Sequence, residues 1–141
     1  MTNRKKLVTE MGRIGREEFR ASQKMPLVVV LDNVRSLHNV GSVFRTSDAF
    51  RVERIMLCGI TATPPSAEIH KTALGAELTV DWRYFEQTLD AVRALQAEGY
   101  TVYAIEQAHG ATILKDLQLP RNQKTAIIMR HKVFGVQQEV V

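Results

Sequence analysis

Polar residues and a glycine with the spacing of an anion-binding site follow the first apolar run of the chain. The segment reads Asn33-Val-Arg-Ser-Leu-His-Asn39-Val-Gly41-Ser-Val-Phe-Arg45. A helix that begins at Asn39 has free N–H groups and a dipole that favour an anion at its start. Gly41 allows a backbone to approach closely, and the Arg45 side chain points back toward that end. An ordinary capped helix with a surface arginine explains the same residues, so this segment by itself leaves both interpretations open.

Strands and helices in alternation must position this segment. Residues 26–31 form a continuous, β-branched apolar run, which is typical of a strand buried on both faces of a parallel sheet. The sequence predicts strands at residues 26–31, 54–58, 78–80, 100–105 and 124–129, and helices at 40–50, 66–73 and 85–97. This order predicts an α/β fold, a mostly parallel sheet flanked by helices. Ligands in such sheets bind beyond the carboxyl ends of the strands, which directs attention to the loops there.

Length and composition exclude several classes of protein. The chain has 141 residues, 45% hydrophobic and 24% charged, which indicates one folded domain rather than a disordered chain. The longest apolar stretch, residues 25–31, is far shorter than the roughly 20 residues of a membrane span, so we expect no membrane contact. The single Cys58 excludes an intrachain disulfide and favours a cytoplasmic location. The four histidines lack ligand spacing, and we expect no metal.

The net positive charge lies at the beginning of the chain. Residues 1–25 hold seven Lys and Arg against three Glu, and the remaining 116 residues hold twelve basic and twelve acidic side chains. We therefore predict a basic helical arm over residues 1–25, followed by one domain over residues 26–141. Such an arm suits contact with a polyanion such as RNA, although a solvated helix face explains the same charges.

Four segments of the sequence resemble motifs of a known family. The pattern Asn39-x-Gly41-x-x-x-Arg45 resembles the first motif of the SpoU-type (TrmH-type) RNA ribose methyltransferases of the SPOUT superfamily. Residues 70–76, 100–105 and 125–139 are similar to later segments of that family, in the same order. The resemblance extends from about residue 26 to the last residue.

The resemblance implies both a fold and an activity. Family members form an α/β knot, work as homodimers and transfer a methyl group from S-adenosylmethionine to a ribose 2′-hydroxyl of tRNA or rRNA. Asn39 and Arg45 are then the catalytic residues. Because a guanidinium is a poor proton acceptor, we expect Arg45 to bind the neighbouring phosphate and stabilise the developing oxyanion. Asn39 either orients Arg45 or caps the helix.

The resemblance also implies where the cofactor and the RNA bind. The predicted cofactor-binding residues are Ile105, Glu106, Met129, Arg130 and Val136. The predicted RNA-binding residues are Arg4, Lys5, Lys6, Arg35 and Lys71.

The chain departs from the family pattern in its second motif. It has Arg130-His131-Lys132 where the family has Gly-Asn-Glu or Gly-His-Glu. We expect a long cation at the glycine position and a reversed charge at the glutamate position to weaken binding of a cationic sulfonium. Because the family continues into a third motif that closes the knot, we also expect the domain through Val141 to be incomplete. A non-catalytic RNA-binding remnant is therefore the alternative function.

Overall fold

The computed structural model describes residues 24–106 and 123–130, and in these ranges strands alternate with helices. The elements are β1 (Met25–Asp32), α1 (Leu37–Ala49), β2 (Val52–Cys58), α2 (Ala67–Ala73), β3 (Trp82–Phe85), α3 (Thr88–Ala97), β4 (Thr101–Glu106) and β5 (Thr125–Arg130). A short 3-10 helix, Ala76–Leu78, lies between α2 and β3. None of the helices in these ranges is long and apolar enough to cross a membrane.

The five strands form one parallel sheet in the order β3-β2-β1-β5-β4. The central strand β1 carries a continuous apolar run whose alternate side chains, such as Val28 and Val29, are both fully buried. A strand can bury both faces only when helices cover the sheet on both sides. The expectation of a parallel α/β sheet flanked by helices is thus confirmed.

Helices cover both faces of the sheet and create two separate cores. On one face, alternate β1 residues such as Val29 pack with Phe44 of α1 and Ile69 of α2. On the other face, Val30 packs in one cluster with Leu95 of α3. The amino ends of α1 and α3 follow the carboxyl ends of β1 and β3, because successive elements in such a fold run antiparallel. Polar groups from both layers therefore meet at the carboxyl edge of the sheet.

Helix α2 packs closely against α1 at Gly41. A Cβ atom added there would lie 1.9 Å from Oγ1 of Thr72 and 2.4 Å from the carbonyl oxygen of Ile69. The Thr72 hydroxyl donates a hydrogen bond of 3.0 Å to the carbonyl oxygen of His38 in the first turn of α1. Gly41 does allow a close backbone approach, and the backbone that approaches belongs to α2.

The start of α1 differs from the sequence prediction. The helix begins at Leu37, and its cap is Ser36, whose Oγ accepts the N–H of Asn39 at 3.0 Å. The prediction that Asn39 caps a helix from residue 40 is therefore wrong. Serine is as good a cap as asparagine, and the partly buried Leu37 packs against the core, so the earlier start adds both a cap and apolar contact.

Residues 76–88 also differ from the prediction. The strand predicted at residues 78–80 is wrong, because a 3-10 helix forms there and the N–H of Val80 bonds to the carbonyl of Ala76 at 2.9 Å. The strand lies later, at Trp82–Phe85, and α3 begins at Thr88 rather than at residue 85. Short apolar runs have no periodicity that separates a strand from a helix.

Of the predicted arm over residues 1–25, only Lys24 and Met25 are described, and Met25 already belongs to β1.

We expect the Gly41→Ala variant to be less stable by about 1–3 kcal/mol, because the added methyl overlaps α2. Chemical denaturation measures this change. Ser42→Ala, one residue further on the same helix, is the matched control and should change the free energy of unfolding by less than about 0.5 kcal/mol. Adding Thr72→Ala should restore only part of the loss, since the Ile69 carbonyl remains. Full stability of Gly41→Ala would contradict this packing.

Candidate functional site

The last residues of the five strands form one row across the carboxyl edge of the sheet. The pairings between neighbouring strands place them in the order Glu106, Arg130, Asp32, Cys58 and Phe85. Two residues of opposite charge, Arg130 and Asp32, thus stand side by side in the middle of this row. The sequence separates them by 98 positions, and the parallel register of β1 and β5 brings them together.

The Asp32 carboxylate is buried and fully engaged with donors. Its Oδ2 accepts from Nε of Arg130 at 2.7 Å, and its Oδ1 accepts from the Thr88 hydroxyl at 2.6 Å and from Nδ2 of Asn33 at 2.9 Å. Thr88 is the first residue of α3, and the amino end of a helix favours a negative charge. A buried carboxylate is tolerated when it is paired and hydrogen-bonded in this way. Asp32 therefore joins β1, β5 and α3.

Sequence reasoning did not single out Asp32 or Thr88 as site residues. The available signal was weak, because one aspartate at the end of an apolar strand is common at the start of any polar loop. Its importance depends on partners in distant parts of the chain.

The loops that follow β1 and β2 are joined by hydrogen bonds. The buried Thr61 hydroxyl accepts the N–H of Val34 at 2.9 Å and donates to the carbonyl of Leu31 at 3.2 Å. Oδ1 of Asn33, a residue in the left-handed conformation, accepts the N–H of Ile60 at 3.0 Å. These bonds fix the short loop between β1 and α1, and thereby the position at which α1 starts.

Asn39 and Arg45, the predicted catalytic residues, lie on different sides of α1. Asn39 is half-buried and Arg45 is exposed. Six helical positions separate them, which is about 9 Å along the axis and about 120° around it. No hydrogen bond joins their side chains, both of which lie in the described part of the chain. Asn39 therefore neither caps the helix nor orients Arg45, and the two side chains are available to separate contacts.

The Asp48 carboxylate lies close enough to Arg45 for the positive charge of Arg45 to affect the pKa of Asp48. Burial raises the pKa of Asp48, while a 3.0 Å hydrogen bond from the Thr79 hydroxyl and the positive charge of Arg45 act in the opposite direction. Asp48 is one turn beyond Arg45 on α1. Asp48 is thus an electrostatic neighbour of Arg45, and the Arg45 guanidinium remains at the surface.

Residues 70–76, the second segment of the family resemblance, comprise the last turn of α2 and the tight turn that follows it. Leu74 and Gly75 both adopt positive φ angles, and the Gly75 N–H donates to Oε1 of Glu77 at 3.0 Å. Nδ1 of His70 lies 2.6 Å from Oε2 of the same carboxylate. Burial disfavours the charge of Glu77, but these hydrogen bonds outweigh it and lower its pKa. The role of this turn in the described structure is to shape the chain after α2.

The predicted cofactor-binding residues cluster where β4 and β5 end. Ile105 is paired with Met129 and Glu106 with Arg130 in the register of the two strands. Ile105 is half-buried, whereas Met129 is buried in the core. Four of the five residues therefore occupy the ends of neighbouring strands. Val136 lies outside the described residues.

The predicted RNA-binding residues are only partly described. Arg35 is exposed in the loop before α1. Lys71 is exposed on α2 and forms a surface ion pair of 3.0 Å with Glu68, which is a weak interaction in water. Arg4, Lys5 and Lys6 lie outside the described residues. Within the described ranges, no group of three or more His, Cys, Asp or Glu residues is arranged to hold a metal ion.

The fold and its polar carboxyl edge define a class, the parallel α/β proteins that bind ligands beyond the strand ends. A family model narrows this class. The SpoU rRNA methylase family model matches residues 26–141. The chain belongs to this family, and the resemblance noted in its motifs is confirmed.

Relatives of the chain methylate RNA. A tRNA (guanosine(18)-2′-O)-methyltransferase of Thermus thermophilus is 28% identical over 133 residues, which cover 94% of this chain and 66% of the relative. A 23S rRNA (guanosine-2′-O-)-methyltransferase of Vibrio cholerae is 32% identical over 83 residues, 59% of this chain and 34% of that enzyme.

A solved structure has the same architecture. The AdoMet-bound rRNA methyltransferase from Sinorhizobium meliloti aligns with a TM-score of 0.62 at 25% identity. The alignment covers 86% of this chain and 46% of that structure. The chain thus spans less than two thirds of the length of each of these three proteins.

We expect Cys58 to be unreactive in the native protein. It is fully buried, and burial raises the pKa of its thiol to about 11. The neighbouring Thr88 hydroxyl acts against this shift, and the negative charge of Asp32 adds to it. Ellman's reagent should react with the native protein about 100-fold more slowly than with the protein in denaturant, since reaction requires a local opening. Glutathione in the same buffers is the control. Equal rates in the two states would contradict the burial of this thiol.

Proposed function

We propose that the chain is an RNA 2′-O-ribose methyltransferase that uses S-adenosylmethionine and acts on tRNA or rRNA. Family membership and the named activities of the relatives support this proposal. The observation that carries it for this chain is the state of Asn39 and Arg45. Both side chains are free of hydrogen bonds within the described structure, on a helix whose start is fixed at the carboxyl edge.

The carboxyl edge offers S-adenosylmethionine an apolar contact. The half-buried Ile105 at the end of β4 presents an apolar surface to the adenosyl part. At the same edge the negative charge of the buried Asp32 carboxylate is balanced by the Arg130 guanidinium. We propose that Ile105, Glu106, Met129, Arg130 and Val136 hold the cofactor, which supplies an electrophilic methyl group when it is bound.

The protein's own residues act on the RNA. A ribose 2′-hydroxyl is a poor nucleophile, so its oxygen must be held in line and its developing negative charge stabilised. The Arg45 guanidinium performs this stabilisation, and it binds the adjacent phosphate as a fixed cation. Asn39 donates a hydrogen bond from its amide to the ribose or phosphate. Arg35 and Lys71, exposed near the start of α1 and on α2, add contacts to the RNA backbone.

The placement of Asn39 and Arg45 supports the proposal of a homodimer. Asn39 and Arg45 point about 120° apart around α1. One RNA nucleotide therefore contacts both side chains only if it bends around the helix or if a second protein surface, opposite Arg45, holds it in place. We propose that a second copy of the chain supplies this surface. The buried, reduced thiol of Cys58 agrees with the cytoplasmic location that we propose for the protein.

One observation favours a second function, RNA binding without methyl transfer. Arg130 places a guanidinium at the edge where the sulfonium is expected. If that charge prevents cofactor binding, the cationic residues that contact RNA remain. Titration calorimetry separates the two functions: the methyltransferase binds S-adenosylmethionine, whereas the alternative protein retains only salt-dependent RNA binding.

We expect Arg45→Ala to lower methyl transfer by about 100-fold or more, because a fixed charge at the oxyanion is lost. Incorporation of labelled methyl groups from S-adenosylmethionine into tRNA and rRNA measures the rate. Arg93→Ala, which removes an exposed arginine from α3 on the opposite face of the sheet, is the matched control and should retain activity.

Arg45 is exposed, so its loss should change the free energy of unfolding by less than about 0.5 kcal/mol. Asn39→Ala should reduce transfer in the same assay. Full activity of Arg45→Ala with an intact fold would refute the assignment of this residue.

A further inference from the structure

The ion pair between Asp32 and Arg130 stands at a special point of the sheet. The chain runs from β1 outward to β3 at one edge of the sheet and then crosses to β4 at the other edge. The direction of the connections therefore changes between the neighbouring strands β1 and β5. Ligands of parallel α/β sheets bind at the carboxyl ends next to such a change of direction. A ligand at this point therefore meets the charges of Asp32 and Arg130.

The two charged side chains differ in their access to solvent. The Asp32 side chain is 8% exposed and the Arg130 side chain is 41% exposed. The guanidinium thus forms the outer part of the pair and the carboxylate the inner part. Because Thr88 and Asn33 already donate to Oδ1, Arg130 engages the remaining carboxylate oxygen, Oδ2. A cationic ligand that approaches Asp32 must compete with a cation tethered to the protein.

We propose that Arg130 determines the charge selectivity of the site by neutralising Asp32. This inference rests on the proposed function, in which the ligand is a sulfonium. With the pair intact, the attraction of Asp32 for a positive ligand is cancelled by the repulsion of Arg130. The site then discriminates little between S-adenosylmethionine, which is positively charged at sulfur, and S-adenosylhomocysteine, which has a neutral sulfur. Without Arg130, the carboxylate favours the charged ligand.

Four proteins test this inference: the native chain, Arg130→Gln, Asp32→Asn and the double variant with both changes. Titration calorimetry gives the affinity of each for the two ligands, and the ratio of the affinities is the readout. The ligands differ in one methyl group as well as in charge, but the methyl contribution is the same in all four proteins. A merely structural role of Arg130 changes both affinities together and leaves the ratio constant.

We expect Arg130→Gln to raise the preference for S-adenosylmethionine roughly tenfold, and Asp32→Asn to lower it by a similar factor. The double variant should return to the ratio of the native chain, because both charges are gone. Lys124→Gln is the matched control, since it removes an exposed cation next to the other end of β5 and should leave the ratio unchanged. Unfolding curves of all the variants establish that each protein is folded.

Other outcomes overturn the inference in distinguishable ways. If every variant binds both ligands with the native ratio, Arg130 does not select charge, and the proposed function stands. If none of the four proteins binds either ligand, both the inference and the proposed function are refuted. If the native chain binds neither ligand and Arg130→Gln binds S-adenosylmethionine, Arg130 repels the ligand more strongly than Asp32 attracts it. The inference of a neutralised pair is then refuted, and the alternative function of RNA binding applies to the native chain.

Discussion

The buried carboxylate of Asp32 is the constraint on which the rest of this edge depends. A charge that is almost excluded from water must be paired, and here the partners come from β5, from α3 and from the loop that follows β1. Arg130 joins the end of β5 to the end of β1, and Thr88 joins the start of α3 to the same Asp32 carboxylate. Removing a donor would leave a buried charge uncompensated. The ends of β1 and β5 and the start of α3 are therefore held in one arrangement by the protein itself.

The same edge is shaped from the other face by neutral groups. The Thr61 hydroxyl satisfies both the N–H of Val34 and the carbonyl of Leu31, so the chain can turn sharply after β1. Ser36 then caps α1 within three residues of that turn. A capped start and a fixed loop determine the direction of α1, and with it the positions of Asn39 and Arg45.

Sequence reasoning succeeded where an apolar pattern extended over several consecutive residues. The apolar run of β1 has one physical explanation, burial on both faces, and the parallel sheet follows from it. Reasoning failed at residues 76–88, where short apolar runs fit a strand or a helix equally well, and at Ser36, which competes with Asn39 as a cap. It could not find the pair of Asp32 with Arg130, because only the register of β1 and β5 brings these residues together.

The candidate site was likewise only half accessible to sequence reasoning. Within the motif segments, some residues have packing roles that the structure accounts for: Gly41 admits α2, Thr72 bonds to α1, and Gly75 turns the chain with the help of Glu77. Asn39 and Arg45 have no comparable role, since neither side chain forms a hydrogen bond among the described residues. Removing either side chain should change the free energy of unfolding little. Side chains that a fold does not need are the ones available to a ligand, and this separation of roles within α1 is the physical ground on which we propose RNA chemistry at Asn39 and Arg45.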